Sequence, residues 1–133
     1  MAGLSDWDID FRDGQAGENA VAKLLSIETV EVKTDRRYKE TGNLYVEVMC
    51  FKQSQGAWVW SGLAASKASH WAFHLEEITL LIDRATLVAA VKTCGREIEC
   101  NLEPNPSRGY LIRPEQMFEY IRQISDQTYP LHT

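Results

Sequence analysis

The chain has 133 residues, a formal net charge of −5, and ordinary globular proportions of 44% hydrophobic and 25% charged residues. This length suffices for one domain with a core that needs no disulfide or metal staple, and the acidic balance argues against a protein that coats nucleic acid without specificity. The sequence does not predict a membrane span or a secretory signal. Three cysteines at unrelated spacings (Cys50, Cys94, Cys100) indicate reduced thiols in a cytoplasmic protein.

The predicted elements follow a mixed order of helices and strands. Helices are expected at about 12–25, 64–69 and 84–93 and from Pro114, strands at about 29–35, 43–51, 57–60, 70–75, 78–82, 96–101 and 109–112, and a loop at 104–109. Residues 1–10 are predicted to be an irregular arm and residues 126–133 a frayed tail. The predicted fold class is α/β (mixed α+β), with residues 1–133 in one domain and a central mixed sheet that begins as an antiparallel meander flanked by helices.

The first two predicted strands carry the most unusual charge pattern. Each alternates apolar with polar residues, and a glycine-containing stretch, 36–42, separates them, which predicts an antiparallel hairpin. Because successive strand side chains point to opposite faces, Glu31, Lys33 and Asp35 share one face at spacings of about 6.5–7 Å. A purely structural strand does not need a carboxylate, an ammonium and a second carboxylate in one row.

The register of that hairpin decides whether Glu47 joins the row. A three-residue loop ending in a left-handed Gly42 places Asp35 opposite Glu47, with the two β-carbons about 4.5–5.5 Å apart, whereas a two-residue loop turns Glu47 to the other face. Two carboxylates at so short a distance repel each other, and a bound divalent cation relieves the repulsion. Carboxylate oxygens suit magnesium or manganese. Glu18, which lies at helical spacing from Val21 and Leu25, can supply a further ligand.

Four motifs together resemble the PD-(D/E)XK restriction-endonuclease-like nucleases, and in particular small phage-encoded members similar to Holliday-junction resolvases. They are Gly-x-x-Gly-Glu (14–18), Glu-x-Lys-x-Asp (31–35), Thr-Gly-Asn-Leu (41–44), and Ser-Gly-Leu followed by Ala-x-x-Trp (61–71). The resemblance covers about residues 12–75. It implies a restriction-endonuclease-like core and a homodimeric, Mg²⁺-dependent endonuclease (Mn²⁺ substituting) that acts on duplex or branched DNA in the cytoplasm, the host cytoplasm if the protein is phage-encoded.

The chain departs from the family pattern at one position, which leaves two assignments open. The family has Glu-x-Lys on its second strand, where this chain has Glu47-Val48-Met49. In the preferred assignment Asp35, Glu47 and Glu18 hold the metal, Lys33 takes the place of the missing lysine, and Glu31 is an outer neighbour. In the other, Glu31-Val32-Lys33 is itself the motif, and the preceding acid is Glu28 or is missing.

The predicted DNA contacts are Arg36, Arg37 and Lys39 at the tip of the hairpin, together with Lys67, whose segment 66–71 resembles the family's DNA-facing region. Three of the four tryptophans are predicted to be core residues, namely Trp58, Trp60 and Trp71. A catalytically silent DNA- or protein-binding module on the same fold is the alternative function, favoured by Met49 and by the acidic net charge. An RNA-directed nuclease also fits these residues.

Overall fold

The computed structural model describes residues 17–19, 22–23, 29–102 and 104–128, and these form a mixed α+β structure, as predicted. The strands are β1 (Val30–Thr34), β2 (Leu44–Lys52), β3 (Ala57–Trp60), β4 (His70–His74), β5 (Thr79–Asp83), β6 (Arg96–Cys100) and β7 (Ser107–Ile112). The helices are α1 (Tyr38–Thr41), α2 (Gly62–Ala65), α3 (Arg84–Cys94) and α4 (Pro114–Thr128). Residues 17–19 and 22–23 are also helical.

The strands form two sheets, and the predicted hairpin between the first two strands is wrong. Sheet A has the order β1-β4-β5, in which β1 runs parallel to β4. Sheet B has the order β3-β2-β7-β6 and is antiparallel throughout. The meander therefore begins at β2 and β3, while β1 belongs to another sheet.

The connection between β1 and β2 explains this separation. Residues 38–41 form a turn of helix that ends at Gly42, whose φ of 74° is left-handed. The left-handed glycine of the prediction is thus present, but it ends α1 and does not close a hairpin. The chain leaves one sheet and enters the other through this helical turn.

The core joins both sheets to the helices. Strand β4 carries three consecutive buried residues, Trp71, Ala72 and Phe73, a pattern typical of a strand covered on both faces. A single cluster of buried residues extends from β4 to β2, α2, α3, β7 and α4: Leu44, Val46, Leu63, Trp71, Phe73, Leu75, Leu87, Ala90, Val91, Ile112 and Met117. This cluster holds the two sheets in a fixed relation.

Most other predicted elements are confirmed, with differences at their ends. The second short helix begins at Gly62 and stops at Ala65, β7 begins inside the predicted loop at Ser107, and α4 continues to Thr128. Trp71 is buried as predicted, but the indole of Trp60 is 68% exposed. The predicted arm at residues 1–10 and residues 129–133 of the predicted tail lie outside the described residues.

Within the described part of the chain, no helix is long and apolar enough to cross a membrane.

Asp83 caps α3, and its removal should destabilise the fold. Its carboxylate accepts a hydrogen bond of 2.9 Å from the N–H of Thr86, so Asp83→Ala should lower the free energy of unfolding by about 1 kcal/mol. Asp83→Asn is the matched control, because asparagine caps helices about as well. Urea titrations at pH 7 will measure both, and equal losses in the two variants would contradict the capping role.

The same cap predicts a pH dependence. Partial burial raises the pKa of Asp83, but hydrogen bonds from Thr86 and the nearby charge of His70 outweigh it and hold the pKa below its ordinary value. A carboxyl with a lowered folded-state pKa stabilises the fold above its unfolded pKa, about 3.9. The stability advantage of wild type over Asp83→Ala should therefore diminish as the pH falls below about 4.

Candidate active site

A cleft of about 730 Å³ lies where the end of β1 meets one face of sheet B. Lys33, Asp35 and Glu47 all line it, although the strands that carry them are not paired. We call it the Asp35 cleft. Three of the five predicted catalytic side chains therefore share one cavity by a route that differs from the predicted hairpin.

One face of sheet B forms the floor of the Asp35 cleft. Directly paired residues point to the same face, and the pairs Glu47–Gly109–Ile98 and Tyr45–Leu111 cross the strands there. A side chain at Gly109 would approach the carbonyl oxygen of Val46 to 2.3 Å and the ring of Tyr45 to 2.9 Å. The glycine thus gives the floor the space that Tyr45 and Glu47 need.

The carboxylate of Asp35 fixes the corner between the two sheets. Its Oδ1 accepts a hydrogen bond of 3.1 Å from the N–H of Arg37, and its Oδ2 accepts one of 2.9 Å from the N–H of Tyr45. Asp35 therefore ties the end of β1 to the start of β2. Each oxygen retains one lone-pair direction, because a carboxylate offers about four acceptor sites.

Glu47 is positioned by Ser61, the residue that precedes α2. Its Oε2 accepts a hydrogen bond of 2.7 Å from the hydroxyl of Ser61, and the Ser61 N–H donates to the carbonyl of Val48 at 2.9 Å. The pairing of β2 with β7 shifts by one residue between Glu47 and Met49. Such bulges re-aim side chains and are frequent beside active sites.

Lys33 projects its ammonium group at the cleft wall. Its Nζ lies 3.2 Å from Oε1 of Glu31 and 5.6 Å from the ring centroid of Trp71. The predicted common face of Glu31 and Lys33 is therefore confirmed. The side chains of both residues are more than two-fifths exposed, so the ammonium can meet a ligand from solvent.

Tyr45 and Ser107 add a hydroxyl pair to the cleft floor. The phenol oxygen lies 2.7 Å from the hydroxyl oxygen of Ser107. Partial burial raises the pKa of Tyr45, the hydrogen bond with Ser107 opposes that rise, and the negative charge of Glu47 adds to it. The phenol is therefore protonated at neutral pH and can act as a hydrogen-bond donor.

The predicted basic residues divide between the cleft and other surfaces. Arg36 and Arg37 line the Asp35 cleft. Lys39 lies instead 2.5 Å from Oε2 of Glu76 and 3.6 Å from Oε1 of Glu77, and the exposed Lys67 is not part of the cleft lining. Positive charge in the cleft therefore comes from Lys33 and the two arginines.

Two predicted carboxylates lie outside the cleft. Glu18 is exposed on its helical turn and does not line the cavity, and Glu31 pairs with Lys33 without lining it. Among residues 17–19, 22–23, 29–102 and 104–128, no group of three or more His, Cys, Asp or Glu side chains is placed to hold a metal ion. Glu28, the alternative acid, lies outside the described residues.

The oxygens of Asp35 and Glu47 nevertheless fit a magnesium ion by their chemistry. Magnesium is usually bound by one or two carboxylates together with waters and substrate phosphates, and does not require a cage of protein ligands. The two acids of the cleft carry oxygen donors of that kind.

The chain was compared with known families, proteins and structures. No family model, no curated protein and no solved structure matches it. The likeness to restriction-endonuclease-like nucleases therefore rests on the sequence motifs alone.

The sequence did not lead us to predict that β6 and β7 contribute side chains to the cleft. Ile98, Cys100, Ser107 and Leu111 all line it, whereas residues 104–109 were predicted to be a loop. The alternation of Ser107, Gly109 and Leu111 with Arg108, Tyr110 and Ile112 was the available signal for a strand with two different faces.

Proposed function

We propose that the protein is a metal-dependent endodeoxyribonuclease that hydrolyses DNA phosphodiester bonds in the Asp35 cleft. The observation that carries this proposal is the convergence of Lys33, Asp35 and Glu47 on one cleft that Arg36 and Arg37 also line. Two carboxylates, a lysine and flanking arginines are the groups needed to bind a divalent cation and a polyanion together.

In this proposal Asp35 and Glu47 hold Mg²⁺, or Mn²⁺ in its place. When bound, the ion supplies Lewis-acid polarisation of the phosphate and a water of lowered pKa. The ammonium of Lys33 stabilises negative charge that develops on the phosphoryl oxygens. Arg36 and Arg37 orient the DNA backbone by contacts with neighbouring phosphates, and the protonated phenol of Tyr45 supplies a further donor at the floor.

The proposed substrate class follows from the resemblance to the PD-(D/E)XK nucleases. Duplex or branched DNA, including a four-way junction, is the proposed substrate, and a homodimer would present one cleft to each of two strands. These parts of the proposal are supported by the motif resemblance.

A catalytically silent DNA-binding module is the second candidate, because the key acids also have structural partners. Both oxygens of Asp35 accept backbone N–H groups, and Glu47 accepts from Ser61. Residues with such roles can remain in a fold that has no catalysis. Binding through Arg36 and Arg37 would then be retained without cleavage.

Cleavage of supercoiled and four-way-junction DNA with Mn²⁺ separates the two candidates. The nuclease proposal expects nicking by the wild-type protein that EDTA abolishes and that Lys33→Ala and Asp35→Ala lose. The absence of metal-dependent cleavage on every DNA substrate would reject it in favour of the binding module. Activity that survives Asp35→Ala but is lost in Glu31→Ala would instead assign the motif to Glu31-Val32-Lys33.

The two arginines should control the salt dependence of DNA binding. With EDTA present, replacing both Arg36 and Arg37 by alanine should make the slope of log K against log salt less steep by about 0.9 for each lost phosphate contact. Lys39→Ala is the matched control, since its ammonium pairs with Glu76 and Glu77 outside the cleft. Fluorescence anisotropy at several salt concentrations measures the slope, and an equal change in the control variant would contradict the assignment.

A further inference from the structure

A second cavity lies on the opposite face of sheet B and has a different chemistry. It has a volume of about 360 Å³, and β2, β3, β7, α2 and α3 all contribute to its lining. Val48 and Tyr110 line it, while their chain neighbours Glu47 and Leu111 line the Asp35 cleft. Since successive strand residues face opposite sides, sheet B separates the two cavities. We call the second one the Trp60 groove.

An exposed indole stands at the mouth of the Trp60 groove. Trp60 is the last residue of β3 and is 68% exposed, whereas most tryptophans are largely buried. The rest of the lining is apolar apart from Arg84, Lys92 and Tyr110. A large flat apolar surface is thus presented to solvent beside a preformed cavity.

The lining of the groove carries positive charge, and the nearby carboxylate of Glu97 accepts a hydrogen bond of 3.1 Å from the hydroxyl of Tyr110. Arg84 and Lys92 both line it, its lining contains no acidic residue, and neither cation has an ion pair among the described residues. One guanidinium nitrogen of Arg84 donates to the carbonyl of Leu63 at 2.8 Å, but its buried Nε has no hydrogen-bond partner. A neutral apolar occupant would leave both cations without a counter-charge, so the complementary ligand is an anion.

A second aromatic surface continues the groove along the same face. Trp58 lies two residues before Trp60 on β3, about 6.5–7 Å away along the strand. The guanidinium of Arg108 lies 3.8 Å from the centre of its ring, and Phe51 meets it edge-on at 5.9 Å. Arg108 Nε also lies 3.5 Å from Oε1 of Glu99, so its charge is already paired. A chain of flat units leaving the groove at Trp60 would therefore meet a second aromatic residue, Trp58.

We propose that the Trp60 groove binds one nucleotide unit, with its base against the indole of Trp60 and its phosphate at Lys92 and Arg84. A nucleotide combines the planar ring and the negative charge that the groove complements. The volume lies near the lower end of the range of about 300–1,000 Å³ typical of small-ligand pockets, which suits a single unit. The unit can be a free nucleotide or one residue of a single strand, for which stacking on aromatic side chains in a positive groove is the general mode of binding.

Binding in the Trp60 groove can be measured without cleavage in the Asp35 cleft. Anisotropy titrations in EDTA with a labelled oligothymidylate test the single strand, and thymidine monophosphate as competitor tests the free nucleotide. Trp60→Ala should weaken the affinity for either one by roughly 5- to 100-fold. Lys92→Ala should also weaken it and make the salt slope for the single strand less steep by about 0.7.

Matched variants guard against trivial effects. Phe118→Ala removes another exposed aromatic ring, 54% exposed on α4, and Lys52→Ala removes an exposed lysine outside the groove. Both should bind as wild type. In case Trp60→Ala is unstable, acrylamide quenching of the wild-type tryptophans should decrease when the oligonucleotide or the mononucleotide is added.

Each outcome decides the proposal. Tight binding of the strand with weak competition by the mononucleotide assigns the groove to single strands, and competition at equal affinity assigns it to free nucleotides. Wild-type affinity in Trp60→Ala, or no binding of either probe, overturns the proposal. So does a Trp60→Ala variant that changes only the sedimentation behaviour, which would make the groove an interface between copies. Loss of cleavage in variants of Asp35 or Glu47 leaves these measurements unaffected.

Discussion

Glu47→Gln is expected to lower the rate of metal-dependent DNA cleavage by about 100-fold or more with little change in thermal unfolding. The substitution removes the negative charge that the proposed cation needs. The amide oxygen of glutamine can still accept the hydrogen bond that the hydroxyl of Ser61 donates to Oε2. This separation of charge from shape makes Glu47 a sharper test than Asp35, whose two oxygens both hold backbone N–H groups.

Glu97→Gln is the control for that experiment. Glu97 lies on the same sheet and accepts a hydrogen bond of 3.1 Å from the hydroxyl of Tyr110, outside the Asp35 cleft. Its substitution should leave cleavage unchanged. Single-turnover nicking with Mn²⁺ gives the rates, and wild-type cleavage by Glu47→Gln would remove Glu47 from the site.

The second large effect is expected for Gly62→Ala, which should lower the free energy of unfolding by about 3 kcal/mol or more. Gly62 has a φ of +49°, and a β-carbon there would lie 2.2 Å from the carbonyl oxygen of Glu47. The strand must move, because the clash is with backbone. The movement would also displace Ser61 and the Glu47 carboxylate that it holds, so any cleavage activity should fall with stability.

The Gly56→Ala variant distinguishes the stability lost through backbone strain from the stability lost through a steric clash. Gly56 has a φ of +60°, but nothing lies within 4 Å of a β-carbon built there. Its substitution should cost only the left-handed strain, about 1–2 kcal/mol. Urea denaturation compares the two variants, and equal losses would show that close packing of α2 on β2 is not important.

The elements that the sequence predicted well are those marked by local chemistry. Asp83 caps α3 through Thr86, three residues away, and Gly95 follows the last residue of that helix. Pro114 begins α4. Each of these signals acts within a few residues, so it is visible in the local sequence.

The pairing of β1 could not be predicted in the same way. Its partner is β4, with Glu31 opposite Trp71 forty residues later, and a hairpin with β2 satisfied the same alternation. The choice depends on the burial of Trp71 and Phe73 between layers and on the helical turn of residues 38–41. Local pattern does not distinguish these outcomes, because both place the same side chains on alternate faces.

The candidate site was predicted in part. Lys33, Asp35 and Glu47 do line one cleft, but the predicted geometry of two facing carboxylates on a hairpin is wrong. Tyr45 and Ser107 meet across 62 positions of sequence, through the pairing of β2 with β7. Contacts of that kind follow from sheet order, which a single sequence does not reveal.

The row of charges on β1 has a further consequence for solubility. Among the described residues β1 is an edge strand of sheet A, and Val30 and Val32 are 37% and 62% exposed on its other face. An edge strand with exposed valines is a template on which another chain can add a strand and start an aggregate. Charged side chains at such an edge oppose this addition, so Glu31 and Lys33 guard the protein against self-association whatever else they do.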